Sequence, residues 1–282
     1  MPQAQLMDGT GLARRIVDET AKRAADLAER TGVAPCLATV LVGEDPASVT
    51  YVRMKQNRSR KAGIESRHVA LPAGTTTAEL IDTLTGLSAD PTVHGILLQH
   101  PMGHHVDERA AFEAIAPEKD VDGVTLASFS AMSFGLPGFA SCTPGGIMRL
   151  LDEYDVDPAG KRAVVVGRSA ILGKPVGMLL LGRDATVTYC HSRTADLSAV
   201  VREADIVVAA VGRPRLIRGE DIKPGAVVVD AGYNPGNIGD VDFDSARERA
   251  SLITPVPGGV GPMTIATLLA QTVEAATRQT GA

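Results

Sequence analysis

Short apolar runs alternate with amphipathic stretches along most of the chain, and this alternation predicts its elements one after another. Helical spacing over about 10–30 leads to the apolar run Cys36–Val42, a helical stretch from Pro46 to about Ala62 and a strand over Ser66–Leu71. A helix over about Thr77–Leu87, a strand over Val93–Gln99 and a short helix near Glu108–Ile115 follow. Repeated β–α units of this kind predict a mostly parallel sheet. The segment Asp122–Thr143 breaks the pattern, with Gly, Ser and Phe but no clear period, and reads as a crossing between domains. A helix then starts near Pro144 and ends around Tyr154. Strands at Arg162–Val166, Ala185–Cys190, Asp205–Ala210 and Ala226–Asp230 come next, and a last helix covers roughly Pro262–Thr277.

The most informative junction is Arg162–Pro175, where a β-branched run ends on Gly167, crosses a small turn and enters the apolar helix that begins at Pro175-Val176-Gly177. A strand–turn–helix of this form seats a dinucleotide pyrophosphate against helix N–H groups. Gly167 permits the tight turn and Gly173 lets helix and strand pack closely, while Ser169 stands where the usual fingerprint has its second glycine. A P-loop is excluded, because position 168 is Arg and Pro175 replaces the Ser or Thr that would hold magnesium. The next strand ends in His191-Ser192-Arg193, offering a hydroxyl and a cation where an NAD site usually has a carboxylate. Those groups, with Arg168, suit the 2′-phosphate of NADP; the plainer alternative is that Ser192-Arg193 begins a polar loop.

The expected architecture is therefore α/β: an N-terminal, mostly parallel α/β domain over residues 1–143 and a Rossmann-like NADP-binding domain over 144–261. The helix of about 262–282 is expected to pack back on the first domain. A chain of 282 residues has room for both cores. With 3% aromatic residues and no Trp, those cores must be aliphatic and glycine-turned. A formal charge of −5 gives no general attraction to nucleic acid or anionic membrane. No apolar run is long enough to span a bilayer, and Met1–Asp8 lacks the basic and apolar parts of a signal peptide, so a cytoplasmic protein is expected. Cys36, Cys142 and Cys190 are isolated and odd in number, which fits buried thiols in a reducing compartment rather than a disulfide framework or zinc site.

Other candidate chemistry is scattered. Ser48, Tyr51, Lys55, Ser59 and Ala62 recur at helical spacing, so Tyr51 and Lys55 share a face. The same Tyr-x-x-x-Lys spacing occurs in short-chain dehydrogenases, but there it follows the nucleotide-binding turn, and here it precedes it. Gln99 ends an apolar strand, where α/β proteins place ligand-binding groups, and Asp120-Val121-Asp122-Gly123 sets two carboxylates in a turn. His100, His104 and His105 lie near Asp107, but Pro101 and Gly103 break the helix that would align them on a metal. Residues 257–262 contain five Gly or Pro before a helix, a turn that brings backbone N–H groups rigidly to a ligand.

In order and spacing these blocks resemble the methylenetetrahydrofolate dehydrogenase/methenyltetrahydrofolate cyclohydrolase family, FolD in bacteria, over nearly the whole chain. The resemblance is carried by the Tyr51–Lys55 helix, Val93–Gln99, Pro117–Gly123, Cys142-Thr143-Pro144, Val165–Ser169, Cys190–Ser192 and Pro257–Thr264. It implies a folate-binding catalytic domain, an NADP domain, an active-site cleft between them and a homodimer. It implies oxidation of 5,10-methylenetetrahydrofolate by NADP⁺ and hydrolysis of the methenyl product to 10-formyltetrahydrofolate. Lys55 matches the family's catalytic lysine, Tyr51 the residue stacking on the folate, Gln99 the amide beside the lysine and Asp122 the carboxylate gripping the pterin. Cofactor contacts are implied at Thr143, Gly167, Arg168, Ser169, Gly173, Ser192 and Arg193, and substrate contacts also at Gly259, Pro262 and Thr264. Two stretches depart: His100-Pro101-Met102-Gly103 replaces the family's Leu-Pro-Leu-Pro, and Ser128–Met132 replaces a segment with Asn and Gly. The first is expected to loosen its loop and to shift the balance toward dehydrogenase. A dehydrogenase of another small substrate and a non-catalytic folate- or NADP-binding paralogue are the alternatives.

Overall fold

The computed structural model describes residues 3–43 and 57–282. Among them are nine strands in chain order: β1 (Gln5–Leu6), β2 (Cys36–Val42), β3 (Glu65–Leu71), β4 (Gly95–Leu98), β5 (Arg162–Val166), β6 (Thr186–Cys190), β7 (Ile206–Ala209), β8 (Val227–Asp230) and β9 (Leu252–Ile253). The chain divides into two compact units. One comprises Met1–Arg14, Met132–Leu136 and Ser141–Ile265; the other comprises Arg15–Ala131, Pro137–Ala140 and Ala266–Ala282. The N-terminal segment joins the unit of Ser141–Ile265 because β1 pairs with β9 and Ala4 N–H donates to the Arg247 carbonyl, and the C-terminal Ala266–Ala282 joins the unit of Arg15–Ala131. A two-residue strand has no period for a sequence to display, so β1 and β9 go unforeseen.

The first unit holds a six-stranded parallel sheet in the order β1-β9-β8-β7-β5-β6. Strands β5, β7 and β8 carry the apolar runs Ala163–Val166, Ile206–Ala209 and Val227–Val229, which are buried on both faces, as a helix-covered parallel sheet requires. Edge strand β6 (TVTYC) alternates exposed and half-buried positions before its buried Cys190. The chain leaves β5 toward β6 on one side and returns to β7 on the other, which makes the carboxyl ends of β5 and β7 the topological switch point.

The second unit has a three-stranded parallel sheet, β3-β2-β4. Central β2 (CLATVLV) is buried throughout, whereas edge β3 (ESRHVAL) is exposed or half-buried at every position. Helix Thr77–Ala89 begins with a capping box, Thr76 accepting from Glu79 N–H while the Glu79 carboxylate accepts from Thr76 N–H. Helix Leu126–Ser133 lies inside the segment expected to be an unpatterned crossing. Its sequence LASFSAMS intersperses Ser with Leu, Ala, Phe and Met, so it has no amphipathic signature to read. From the C-terminal helix, Gln271 Nε2 donates to the carbonyls of Val121 (2.7 Å) and Ala140 (3.0 Å), and Gln279 Nε2 donates to those of His94 and Glu118.

Candidate functional site

In the first unit the glycine turn after β5 is built by close backbone approach. Gly167 has φ +132°, and a Cβ there would lie 2.2 Å from the Ala210 carbonyl oxygen. A Cβ on Gly173 would lie 2.4 Å from the Gly167 oxygen, so neither position admits a side chain. Ser169 acts within the turn: its hydroxyl accepts from Gly173 N–H (3.2 Å) and its carbonyl from Lys174 N–H (3.0 Å). The sequence reading expected helix N–H groups open to a phosphate; here the serine in place of the second glycine satisfies two of them. Arg168 and Ser169 are exposed, as are Ser192 and Arg193 after β6. The two turns adjoin, because β5 and β6 pair up to Val166 and Cys190, and Gly167 N–H donates to the Cys190 carbonyl. The second turn is set by His191 N–H donating to Thr194 Oγ1 (2.9 Å) and Arg193 N–H to His191 Nδ1 (3.2 Å).

The Gly/Pro-rich turn belongs to the same unit. Gly258 has φ +105°, its carbonyl accepts from Thr10 N–H (2.9 Å), and a Cβ on Gly9 would overlap the Gly259 oxygen. Thr264 and Thr143, expected to serve substrate and cofactor respectively, share a hydroxyl–hydroxyl hydrogen bond of 2.9 Å. They come together because Gly146 lets helix Cys142–Glu153 approach Met263, where a Cβ would lie 2.9 Å from the Met263 side chain. Pro262 is half-buried beside them.

In the second unit Gln99 follows β4, its N–H donating to the Val40 carbonyl and its Nε2 to the His100 carbonyl (2.8 Å). The two carboxylates of Asp120–Gly123 have separate fates. Asp120 is fully buried and accepts from Val124 N–H (3.1 Å) and Thr125 N–H (2.9 Å), which makes it a structural brace. Asp122 is half-buried. Gly95 leaves room for Val121, whose side chain a Cβ would meet at 2.7 Å, and so fixes this turn on the start of β4. The altered loop after Gln99 is anchored by Met102, which is 4% exposed, and by His105 Nε2 facing the Thr75 carbonyl at 3.2 Å. Asp107 caps helix Glu108–Glu113 by accepting from Ala110 N–H. Among the described residues no three of His, Cys, Asp or Glu are grouped to hold a metal ion. Tyr51, Lys55 and Ser48 lie outside the described residues. A surface hollow of about 430 Å³ lined by Glu118, Ser128, Ala131, Phe139 and Arg278 contains none of the candidate residues.

Sequence reasoning missed a buried polar network at the carboxyl ends of β7 and β8. Asp230 and Asp240 are 3% and 0% exposed and are surrounded by backbone N–H donors. Burial pushes the Asp230 carboxyl up to about 6, against the pull of its hydrogen bonds. The available signal was the stretch Asp230–Asp240, dense in Gly, Asn and Asp: a buried carboxylate needs several backbone donors, and such loops supply them. All three cysteines are buried and none forms a disulfide, and burial raises the thiols of Cys36 and Cys190 above their usual range.

Comparison with known proteins agrees over both units. Residues 7–122 match the catalytic-domain model, and residues 141–280 the NAD(P)-binding-domain model, of tetrahydrofolate dehydrogenase/cyclohydrolase. The chain is 82% identical to "Bifunctional protein FolD 1" of Streptomyces avermitilis, covering 99% of this chain and 97% of that one. It is 58% identical to the bifunctional FolD of Shouchella clausii, covering 99% of both. Among solved structures, FolD from Campylobacter jejuni superposes with a TM-score of 0.95 at 42% identity, over 98% of this chain and 99% of that one. The Trypanosoma brucei enzyme, solved with NADP cofactor and inhibitor, gives 0.96 at 40% identity over all of both chains. The chain belongs to the tetrahydrofolate dehydrogenase/cyclohydrolase family.

Proposed function

We propose that the chain is a bifunctional enzyme of one-carbon metabolism. It oxidises 5,10-methylenetetrahydrofolate to the methenyl cation with NADP⁺ and hydrolyses that cation to 10-formyltetrahydrofolate. The match of both parts of the chain to the two domains of one bifunctional family carries this reading. The cofactor is NADP, which the residues present fit: a glycine turn with no room for a Cβ, and exposed Arg168, Ser192 and Arg193 on two adjoining strand ends. When bound, its nicotinamide supplies the hydride acceptor. Arg168 and Ser192 then hold the 2′-phosphate, and Gly167 and Gly173 admit the dinucleotide backbone to the turn.

Lys55 is assigned to proton transfer as water attacks the methenyl carbon, a role that needs its amine neutral for part of the cycle. Tyr51 stacks on the folate, Gln99 supports the lysine's amine, and Asp122 accepts from the pterin's donor edge. Thr143 belongs to the cofactor contacts; Gly259, Pro262 and Thr264 belong to the folate. The N-terminal catalytic and C-terminal cofactor domains of the sequence reading keep these roles.

A cytoplasmic homodimer acting without nucleic acid or membrane is the accompanying proposal. Among the described residues no helix is long and apolar enough to cross a membrane, and the net charge is −5. Edge strand β3 pairs with β2 alone among the described strands, leaving an edge of seven residues against which a second copy can align.

Incubating the purified protein with NADP⁺ and 5,10-methylenetetrahydrofolate tests the activity. NADPH with formyl product is expected. NADPH with persistent methenyl product would reduce the enzyme to a dehydrogenase, and no NADPH from folded protein that binds both ligands would make it a non-catalytic paralogue. Lys55→Met is expected to abolish hydrolysis of supplied methenyl-folate; full hydrolysis by that variant would remove Lys55 from the role.

A further inference from the structure

The loop after β7 is held from behind by one carboxylate. Asp240 Oδ2 accepts from the N–H groups of Val211 (2.7 Å) and Gly212 (2.9 Å), and Oδ1 accepts from Arg213 N–H (2.8 Å) and Asn234 Nδ2 (3.0 Å). Four donors converge on a side chain with no exposure to water, which makes the charge tolerable and the geometry stiff. The site is cut to fit: a Cβ on Gly232 would lie 2.1 Å from the Asp240 carboxyl carbon, so the residue there must be glycine. Asp230 in turn holds Asp240, since its carboxylate accepts from the N–H groups of Gly232, Asp240 and Val241. Gly239 clears the space for it, as a Cβ would lie 1.9 Å from Asp230 Oδ2.

This loop adjoins the glycine turn. Ala210, whose carbonyl oxygen meets the space over Gly167, immediately precedes Val211, and Ala210 N–H donates to the Val166 carbonyl (2.8 Å). The braced loop therefore stands at the switch point of the sheet, where a dinucleotide binds. Its three N–H groups are committed to Asp240, so its backbone can meet a ligand only with carbonyls and the open glycine edge of Gly212, around which a Cβ would touch nothing. That edge suits ligand donors, such as ribose hydroxyls or a carboxamide, and not a phosphate.

We propose that Asp240 is a positioning residue for the cofactor, holding Val211-Gly212-Arg213 in the form that receives the donor groups common to NADP and NAD. This rests on the NADP reading above. Asp240→Asn places an NH₂ against N–H donors in either orientation of the amide, so the brace fails while side-chain shape is kept.

The test is the Kd of NADP⁺ and of NAD⁺, together with cofactor-free hydrolysis of methenyl-folate, in the unaltered enzyme and in Asp240→Asn. Both dinucleotides are expected to weaken by a similar factor of about ten or more, while hydrolysis persists. Unchanged Kd values, an effect on NADP⁺ alone, or loss of hydrolysis in step with binding overturns the inference. If Asp240→Asn does not fold, Gly212→Val distorts the loop from its open side, where φ is +64°, and must give the same split; normal dinucleotide binding there overturns it equally. Failure of the unaltered protein to bind NADP⁺ overturns the cofactor reading itself and this inference with it.

Discussion

Arg168 and Asp230 do opposite work with charge. Arg168 is exposed at the glycine turn, beside the strand end that carries Ser192 and Arg193. A charge-assisted hydrogen bond to a 2′-phosphate is worth about 1.5–3 kcal/mol, so Arg168→Ala is expected to raise the NADP⁺ KM by roughly 10- to 100-fold. The NAD⁺ KM should change little, and an equal rise in both would remove the assignment. Asp230 is buried with its carboxyl pushed up to about 6 from 3.8. The folded state thus keeps a proton that the unfolded chain releases near pH 4, and protonation favours the fold. This group's contribution is fully present below about pH 4, is lost as pH rises toward 6, and amounts to about 3 kcal/mol at most. Lowered carboxyls such as Asp205 and Glu79 slope the other way, so the comparison must be a difference. Urea unfolding from pH 4 to 7 should show the downward component in the unaltered protein and not in Asp230→Asn; parallel profiles would refute it.

The elements were legible in proportion to their burial pattern. Cys36–Val42 was read with its observed ends because it is a continuous apolar run bounded by Pro35 and Gly43, and the β5 strand was marked in the same way by Gly167. Helix Leu126–Ser133 and the two-residue strands β1 and β9 were not legible, because neither a helix with Ser scattered among its apolar residues nor a two-residue strand displays a period. The glycine turn was legible as a motif, but the capping work of Ser169 was not, since only the fold places its hydroxyl against Gly173 N–H. Two glycines of the following helix region make the point testable. At Gly173 an added Cβ would meet only backbone, at 2.4–2.8 Å from Gly167 and Arg168, and backbone cannot turn aside. At Gly182 the φ is −64° and the nearest atom is 3.4 Å away. Gly173→Ala should therefore cost about 1–3 kcal/mol and weaken NADP⁺ binding, whereas Gly182→Ala should be neutral or stabilising by up to about 1 kcal/mol. Equal effects in denaturant titrations would show that close approach at Gly173 is not the constraint.

At the scale of the molecule, the unit containing Asp122 is assembled from distant parts of the sequence, and its last part is its C-terminal helix. Leu268, Leu269, Val273 and Ala276 of that helix are buried, and its polar anchors reach back across the chain. Gln271 Nε2 bonds the carbonyl of Val121, 150 positions earlier, and that of Ala140. Val121 also fills the space left by Gly95 and directly precedes Asp122, so one amide ties the C-terminal helix to the turn carrying the Asp122 carboxylate. Replacing Gln271 by Leu keeps the volume roughly and strands two carbonyls without that donor. A buried polar group left without its partner costs about 1–3 kcal/mol. Because the lost bond holds the backbone beside Asp122, the loss should reach function as well as stability. Gln271→Leu is expected to lower the denaturation midpoint and to raise the KM for methylene-folate, leaving the Kd of NADP⁺ unchanged. A variant equally destabilised with an unaltered folate KM would show that Gln271 braces the fold without setting the Asp122 turn.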